Sequence, residues 1–138
     1  MDEQQKEEQP SGRRYWWRLL VPFGLMAAVA SGWSGSVDPH VVDVSDKLLH
    51  FAFYGLLTGA WVFALAPVRM RPAFVVCASF LLAVGWGVMD ESLQSLTEHR
   101  DPSWLDAGAD VLGAGAAALV SLFVLTRRQE PDATDPGK

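Results

Sequence analysis

Four apolar segments of similar length dominate this chain of 138 residues. Their approximate bounds are Trp16–Trp33, Leu48–Ala66, Pro72–Met89 and Leu105–Thr126. A transmembrane helix needs about 17–25 mostly apolar residues, because the hydrocarbon layer of a bilayer is about 30 Å thick. The four segments meet that requirement and leave little of the chain for a soluble domain. The pattern therefore predicts an all-α integral membrane protein built as a four-helix bundle.

Polar segments flank this region on both sides. Residues 1–14 contain no aromatic side chain and no aliphatic one larger than Met1, and residues 127–138 are polar and include two prolines. Neither segment can contribute to a hydrophobic core. We therefore expect two disordered tails around a single transmembrane domain at residues 15–126.

The first apolar segment allows a second interpretation. Three arginines precede a short apolar stretch that ends in Ala28-Val29-Ala30, which has the form of a signal-peptidase site. Against cleavage, the apolar stretch continues to Trp33, and the tail before it is long and acidic instead of short and basic. We expect this segment to be retained as a transmembrane helix, with cleavage as the alternative.

The long cations are distributed unevenly between the connecting segments. Those that flank one set of helix ends are Arg13, Arg14, Arg18, Arg69, Arg71, Arg127 and Arg128. The opposite loops are mostly acidic, with Lys47 and Arg100 as their only long cations. Because short loops rich in Lys and Arg stay in the cytoplasm, the pattern predicts cytoplasmic N- and C-termini and a location in the cytoplasmic membrane.

Composition argues against several other classes of protein. Eleven Lys and Arg face sixteen Asp and Glu, for a net charge of -5, so we expect no nucleic-acid partner. The single cysteine, Cys77, rules out an intramolecular disulfide and a Cys-rich metal site, and its place in an apolar segment predicts a buried position. The Gly-rich phosphate loop and the HExxH zinc motif are absent from the sequence.

Ionisable side chains enter the second apolar segment at its acidic loop. Asp46, His50 and Tyr54 are spaced by four residues, which places them on one stripe of a helix, and Lys47 is adjacent. In a purely structural interpretation, Asp46 caps the helix, Lys47 extends its charge to the interface, and His50 and Tyr54 bond neighbouring helices. However, ionisable groups inside a membrane are costly and mark functional sites by default.

Carboxylates occur at the corresponding ends of the third and fourth segments. Asp90 and Gln94 share a helix face, while Glu91 points about 100° away. Asp106 and Asp110 are also four residues apart. With alternating topology these groups reach the same outer face as the start of the second segment. Caps that served only the fold would be expected at both faces, yet the opposite ends carry arginines and prolines.

Asp110 should lie about one helical turn inside the apolar region, where an unpaired carboxylate is expensive. Its candidate partners are His50, Lys47 and Arg100. The small residues of the stretch Gly113–Ala117 should let another helix approach closely.

The order and spacing of these motifs can be written as Asp46-Lys47-x-x-His50-x-x-x-Tyr54, Asp90-Glu91-x-x-Gln94, Arg100 and Asp106-x-x-x-Asp110-x-x-Gly113. They resemble the VanZ-like family of small integral membrane proteins, over roughly residues 40 to 120. The resemblance implies a multi-pass membrane protein, in a family whose founding member is linked to low-level resistance to the glycopeptide teicoplanin. It implies no particular reaction.

Two functions remain open at this stage. One is a site at the outer face that binds or modifies a membrane lipid or a lipid-linked envelope precursor. The other is a structural or accessory role, in which the polar cluster only holds the helices together. For the site, the candidate catalytic residues are His50, Asp90, Glu91 and Asp106, and the candidate binding residues are Asp46, Lys47, Tyr54, Gln94, Arg100 and Asp110. One histidine with several carboxylates could also hold a divalent cation, although no diagnostic ligand spacing is present.

Overall fold

The computed structural model describes residues 15–32, 43–68, 70–94 and 104–129. Its elements are a 3-10 turn at Trp16–Leu19 and the helices α1 (Leu20–Gly32), α2 (Asp43–Leu65), α3 (Pro72–Gln94) and α4 (Trp104–Arg127). Every regular element in these ranges is helical. The predicted all-α class is therefore confirmed.

Three of the helices reach the length that a membrane requires. Helices α2 and α3 have 23 residues each and α4 has 24, which corresponds to about 35 Å at 1.5 Å per residue. By length and composition they can cross a membrane over Lys47–Leu65, Pro72–Ser92 and Trp104–Arg127. Helix α1, with 13 residues, is shorter. The described chain thus contains three candidate transmembrane helices, as expected of a membrane protein.

Helices α2, α3 and α4 pack against one another, whereas α1 packs mainly against α2. The buried cluster between them consists of Tyr54, Leu57, Trp61, Ala83 and Ala114. Helix α2 contributes three of these side chains and is the most buried of the three long helices. The core is therefore a three-helix arrangement centred on α2, with α1 on its outer side.

Helices that are consecutive in the sequence run in opposite directions, so α2 and α4 are parallel and the helix termini fall into two groups at opposite ends. At the arginine end, the Trp17 ring packs edge-on against Phe63 near the end of α2. This end contains the start of α1 and α3 and the end of α2 and α4, together with Arg18, Arg71, Arg127 and Arg128. The acidic end contains the start of α2 and α4 and the end of α3. The predicted separation of arginines from carboxylates therefore holds within the described residues.

Large apolar side chains cover the outward surface of the helices. Leu56, Leu81 and Leu112 are exposed, and Leu119 of α4 is 72% exposed. Such a surface would be an aggregation hazard in water, and lipid chains are its natural solvent. Cys77 also lies on this exposed surface, so the predicted burial of its thiol is wrong. Its position on the outer side of α3, and not its hydropathy, decides its exposure.

The helices extend further into the polar segments than the apolar pattern predicted. Helix α2 begins at Asp43 instead of Leu48, and α3 continues to Gln94. Backbone hydrogen bonding can carry a helix beyond the hydrocarbon layer, so the apolar run marks only its central part. Pro22 lies in the first turn of α1, where a missing N–H costs no helical hydrogen bond. The 3-10 turn at Trp16–Leu19 comes directly before this helix.

Candidate functional site at the acidic end

A histidine and an aspartate from different helices form a close pair at the acidic end. The Nδ1 atom of His50 in α2 lies 2.8 Å from Oδ1 of Asp110 in α4. Their side chains are only 11% and 9% exposed. His50 lies about one turn inside the span that begins at Lys47. Of the three candidate partners for the Asp110 carboxyl, the structure thus brings His50 to it.

Close contact between the backbones of α2 and α4 positions this pair. A Cβ atom added at Gly113 would overlap the Phe51 carbonyl group, and it would lie 2.8 Å from the Phe51 carbonyl carbon. A Cβ atom added at Gly55 would lie 3.3 Å from the Gly113 carbonyl oxygen. An aspartate side chain is short, so the helices must approach this closely for the Asp110 carboxyl to reach the imidazole.

The other glycine of the predicted small-residue contact behaves differently. At Gly115, an added Cβ atom would meet no other atom within 4 Å. The prediction of close packing is therefore confirmed at Gly113 and is wrong at Gly115. Two residues along an α-helix correspond to a turn of about 200°, so Gly115 lies on a different side of α4 from the contact between Gly113 and Phe51.

Tyr54 extends the pair towards α3. Its ring stacks on the His50 ring, with centroids 6.3 Å apart and an angle of 14° between the planes. The side chain is 2% exposed. A Cβ atom added at Gly87 of α3 would lie 3.2 Å from the Tyr54 hydroxyl oxygen and 3.1 Å from the nearest ring carbon. Gly87 therefore provides the space in which the Tyr54 ring lies between the helices.

Sequence reasoning missed Gly87, although a signal for it exists. In α3, Gly87 precedes Asp90 by three residues, and in α4, Gly113 follows Asp110 by three residues. Because α3 and α4 run in opposite directions, both glycines lie about one turn deeper than the carboxylate. A glycine placed one turn below a membrane carboxylate could thus have identified the close packing beneath the polar cluster.

The remaining carboxylates converge on the same region. Asp90, Glu91 and Asp106 are half-buried. Asp90 and Asp106 are close enough to interact electrostatically with the Asp110 carboxyl, and Asp90 and Glu91 interact with Tyr54. The predicted convergence of carboxylates from α3 and α4 with the imidazole of α2 is therefore present in the structure.

The other predicted site residues are only partly described. Lys47 is half-buried at the start of the α2 span. Asp46 lies in α2 and Gln94 in α3, but their side chains fall outside the described part of the structure, and Arg100 lies outside the described residues altogether. Whether these three groups reach the cluster stays a prediction.

The described residues offer no ligand set for a metal ion. Within the four described ranges, no three His, Cys, Asp or Glu side chains are grouped so that they could hold one. The chemistry that these residues can supply by themselves is therefore hydrogen bonding, charge and proton transfer.

The His50–Asp110 pair can exist in two protonation arrangements. With an ionised carboxylate, the Nδ1–H group donates to Oδ1, which leaves the lone pair of the imidazole on Nε2. With a protonated carboxyl group, the Asp110 O–H donates to Nδ1 instead. In the first arrangement the carboxylate orients the ring, and the imidazole can act as a general base.

A second polar feature lies at the arginine end. From the sequence, its arginines predicted only the orientation of the protein in the membrane. The Arg18 guanidinium lies over the rings of Tyr15, Trp17 and Phe63, at 5.1, 5.7 and 4.6 Å from their centroids. Its Nη1 donates to the Phe63 carbonyl oxygen at 3.4 Å. That carbonyl belongs to the last turn of α2, where no helical N–H follows. Arg18 therefore caps α2 and attaches the start of α1 to it.

Comparison with known proteins identifies one distant similarity. No family model matches the chain. The chain is 29% identical over 116 residues to "Uncharacterized protein C11E3.10" of Schizosaccharomyces pombe, an alignment that covers 82% of this chain and 68% of the yeast protein. No solved structure matches the chain. The chain is thus similar to a eukaryotic protein whose name assigns it no activity.

Proposed function

We propose that this chain is a VanZ-like membrane protein whose acidic end binds or modifies a lipid or a lipid-linked envelope component. The observation that carries the proposal is the 2.8 Å pair of His50 and Asp110 inside the span, beneath three further carboxylates. Intramembrane ionisable groups are expensive to maintain, and a single capping group per helix would satisfy the fold. The resemblance adds only a link to glycopeptide resistance, and the position of the pair near the end of the spans favours a lipid or lipid-linked ligand.

In this proposal the protein is a four-helix bundle in the cytoplasmic membrane, with both termini in the cytoplasm. The arginines of the described chain support this orientation, because all of them lie at one end. Helix α1 and the turn before it measure about 28 Å together, at 1.5 Å per residue for the helix and 2.0 Å for the turn. That length supports a role for the first segment as the fourth span. The acidic end then faces the outer leaflet.

Within the site, His50 acts as the acid or base, and Asp110 orients its ring. Asp90, Glu91 and Asp106 bind or polarise the headgroup of the lipid. A lipid headgroup is the natural ligand for this position, because the cluster begins within about one turn of the span ends at Lys47, Ser92 and Trp104.

The second candidate function is structural. The observation that favours it is the backbone contact of Gly113 with Phe51, which lies directly beside the pair. A buried hydrogen bond at a helix crossing can fix the register of two helices without any ligand. Interhelical hydrogen bonds in membranes contribute about 0.6–1.7 kcal/mol. In a structural role, loss of the pair would therefore lower the free energy of unfolding and change nothing else.

The test replaces the two members of the pair conservatively, as His50→Gln and Asp110→Asn. Each variant is assayed for teicoplanin susceptibility of the host and for lipids that copurify with the protein, at equal levels of membrane insertion. If the pair belongs to a site, both variants insert normally and lose the phenotype, because an amide cannot exchange the proton. His99→Gln is the matched control, since it removes an imidazole from the segment of the sequence between α3 and α4.

The two functions predict different outcomes for the same proteins. A site predicts loss of phenotype with folding nearly intact. A structural role predicts that His50→Gln preserves the phenotype and that any defect follows the loss of folded protein. Wild-type susceptibility and lipid content in both variants would refute the site and leave the structural role.

A further inference from the structure

The guanidinium group of Arg18, at the arginine end, has hydrogen-bond donors that the fold does not use. Its Nη1 donates to the Phe63 carbonyl oxygen at 3.4 Å, which is long for a hydrogen bond. Its Nε is buried, and within the described part of the chain this atom has no hydrogen-bond partner. A buried donor without a partner is costly, above all on a charged group. The Nε donor therefore needs an acceptor from outside the described residues.

The geometry of the guanidinium group selects the kind of acceptor. Its five N–H groups lie in one plane, and Nε–H and one N–H of Nη2 point in parallel along the edge that Nη1 does not share. Two parallel donors match two oxygens of a single phosphate or carboxylate. The Phe63 carbonyl engages Nη1, and the rings of Tyr15, Trp17 and Phe63 lie against the group. The free edge of Arg18, formed by Nε and Nη2, is therefore held ready for an oxyanion.

The charge of the arginine end favours an anion as well. Among the described residues, every Asp and Glu belongs to the start of α2, the start of α4 or the end of α3, which form the acidic end. At the arginine end, Arg71, Arg127 and Arg128 are exposed, in addition to Arg18. Without a described carboxylate to neutralise these four cations, the potential at this end is positive and attracts an anion.

The depth of Arg18 matches the phosphate groups of a bilayer. Phe63, which Arg18 contacts, lies two residues before the end of the α2 span at Leu65, or about 3 Å along the axis. The neighbouring rings of Trp16 and Trp17 are exposed on the outer surface. Tryptophan is enriched at the level of the headgroups, where the hydrocarbon layer ends. The free edge of Arg18 therefore lies at the boundary between the acyl chains and the headgroups.

We propose that the free edge of Arg18 binds the phosphate group of an anionic phospholipid in the leaflet at the arginine end. Leu20 and Phe23, exposed apolar side chains that follow Arg18 in α1, offer a surface for the acyl chains of the same lipid. The carboxylates of the terminal segments, outside the described residues, are the competing occupants. This inference concerns the opposite end of the protein from the His50–Asp110 pair and does not rest on the proposed function.

The experiment compares two phospholipids with identical acyl chains. Purified, delipidated protein is mixed in detergent with phosphatidylglycerol or phosphatidylcholine, and the bound lipid is counted by native mass spectrometry. We expect about fivefold stronger retention of phosphatidylglycerol, because the choline cation is repelled by the arginines around the phosphate. Glycerophosphoglycerol, which is the same headgroup without acyl chains, should not displace it at equal concentration, since it lacks the contact with the apolar surface of α1.

Two variants with the same chemical change separate the free edge of Arg18 from the total charge. Arg18→Lys keeps the charge, but an ammonium group cannot offer two parallel donors in a fixed plane, so the preference should fall to about twofold or less. Arg127→Lys is the matched control at the same end of the protein, where the guanidinium group lies over the Phe123 ring. It should keep the full preference.

Each outcome decides one part of the inference. Equal retention of the two lipids by the wild-type protein would overturn it and leave an acidic group of the terminal segments as the partner of Arg18. Displacement by glycerophosphoglycerol would overturn the lipid source. An unchanged preference in Arg18→Lys, or an equal loss in Arg18→Lys and Arg127→Lys, would overturn the role of the free edge.

The same measurement is independent of the site at the acidic end. His50→Gln changes only the acidic end and should keep the preference for phosphatidylglycerol, whether or not that variant loses its phenotype. Loss of the preference in His50→Gln, with Arg18→Lys unaffected, would place the bound lipid at the acidic end and overturn this inference alone.

Discussion

The two ends of the three-helix core carry charge in opposite ways. At the acidic end, the short side chain of Asp110 is buried between helices and reaches His50 on another helix. At the arginine end, Arg18 and Arg127 extend long side chains over aromatic rings near the helix termini. Glycine makes the first arrangement possible, because Gly113 brings two backbones into contact. The second arrangement needs no such contact.

This difference has a physical reason. A long cation can keep its head at the interface while its stem covers apolar surface, so its charge is not buried. The short side chain of an aspartate one turn inside the membrane cannot extend its charge to the interface. Its carboxylate therefore needs a partner close to its own helix. The arginine end therefore resembles an ordinary membrane boundary, whereas the acidic end buries a carboxyl group between two helices.

The largest expected effect tests which end faces outwards. Single cysteines at Glu98 and Val68, each in a Cys77→Ser background, report loops at opposite ends of the core. An impermeant thiol reagent should label Glu98→Cys fully in intact cells and leave Val68→Cys unlabelled until the membrane is opened, because the spans separate the loops. The reverse labelling pattern would mean that the arginine end faces outwards and the acidic end faces the cytoplasm.

Substitution at the crossing of α2 and α4 should have the next largest effect. Gly113→Ala places a methyl group against the Phe51 carbonyl, where backbone must move, so we expect a loss of at least about 2 kcal/mol of unfolding free energy. Denaturant titration in detergent micelles measures it. Gly115→Ala is the matched control, with open space at its Cβ and a gain of up to about 1 kcal/mol in helix propensity. Equal stability of the two variants would contradict the backbone contact.

A smaller effect is expected where a side chain, and not backbone, fills the space. Gly87→Ala places its methyl group 3.1 Å from the Tyr54 ring, which can shift by a few tenths of an ångström. Overpacking and helix propensity then oppose each other, and we expect a net loss of about 1 kcal/mol in the same titration. Gly85→Ala, which meets no atom within 4 Å, serves as its control. A Gly87→Ala protein as stable as the Gly85→Ala protein would mean that the ring is not confined.

The smallest effect should come from the arginine end. Arg18→Lys keeps the charge but loses the planar stacking on three rings. We therefore expect the free energy of unfolding to fall by about 0.5 kcal/mol in the same titration. Arg127→Lys loses a single ring contact, with Phe123, and should change stability less. A loss at Arg18 as large as that at Gly113 would remove the contrast between the two ends.

Several features of the site were predictable from residue spacing. The interval of four between His50 and Tyr54 predicted a shared helix face, and the two rings are stacked. The cost of an intramembrane carboxylate predicted a partner for Asp110. Three candidates remained for that partner, because spacing along one helix carries no information about the distance to another.

By itself, the sequence determined that the chain forms apolar helices of membrane length, and that carboxylates and arginines lie at opposite ends. Those properties follow from hydropathy and from the alternation of loops, which are local. Only the tertiary structure decided that α2 and α4 touch at Gly113, that His50 is the partner of Asp110, and that Tyr54 lies against Gly87. The reason is that helix crossings depend on the fit of two surfaces, and the same hydropathy pattern allows many such fits.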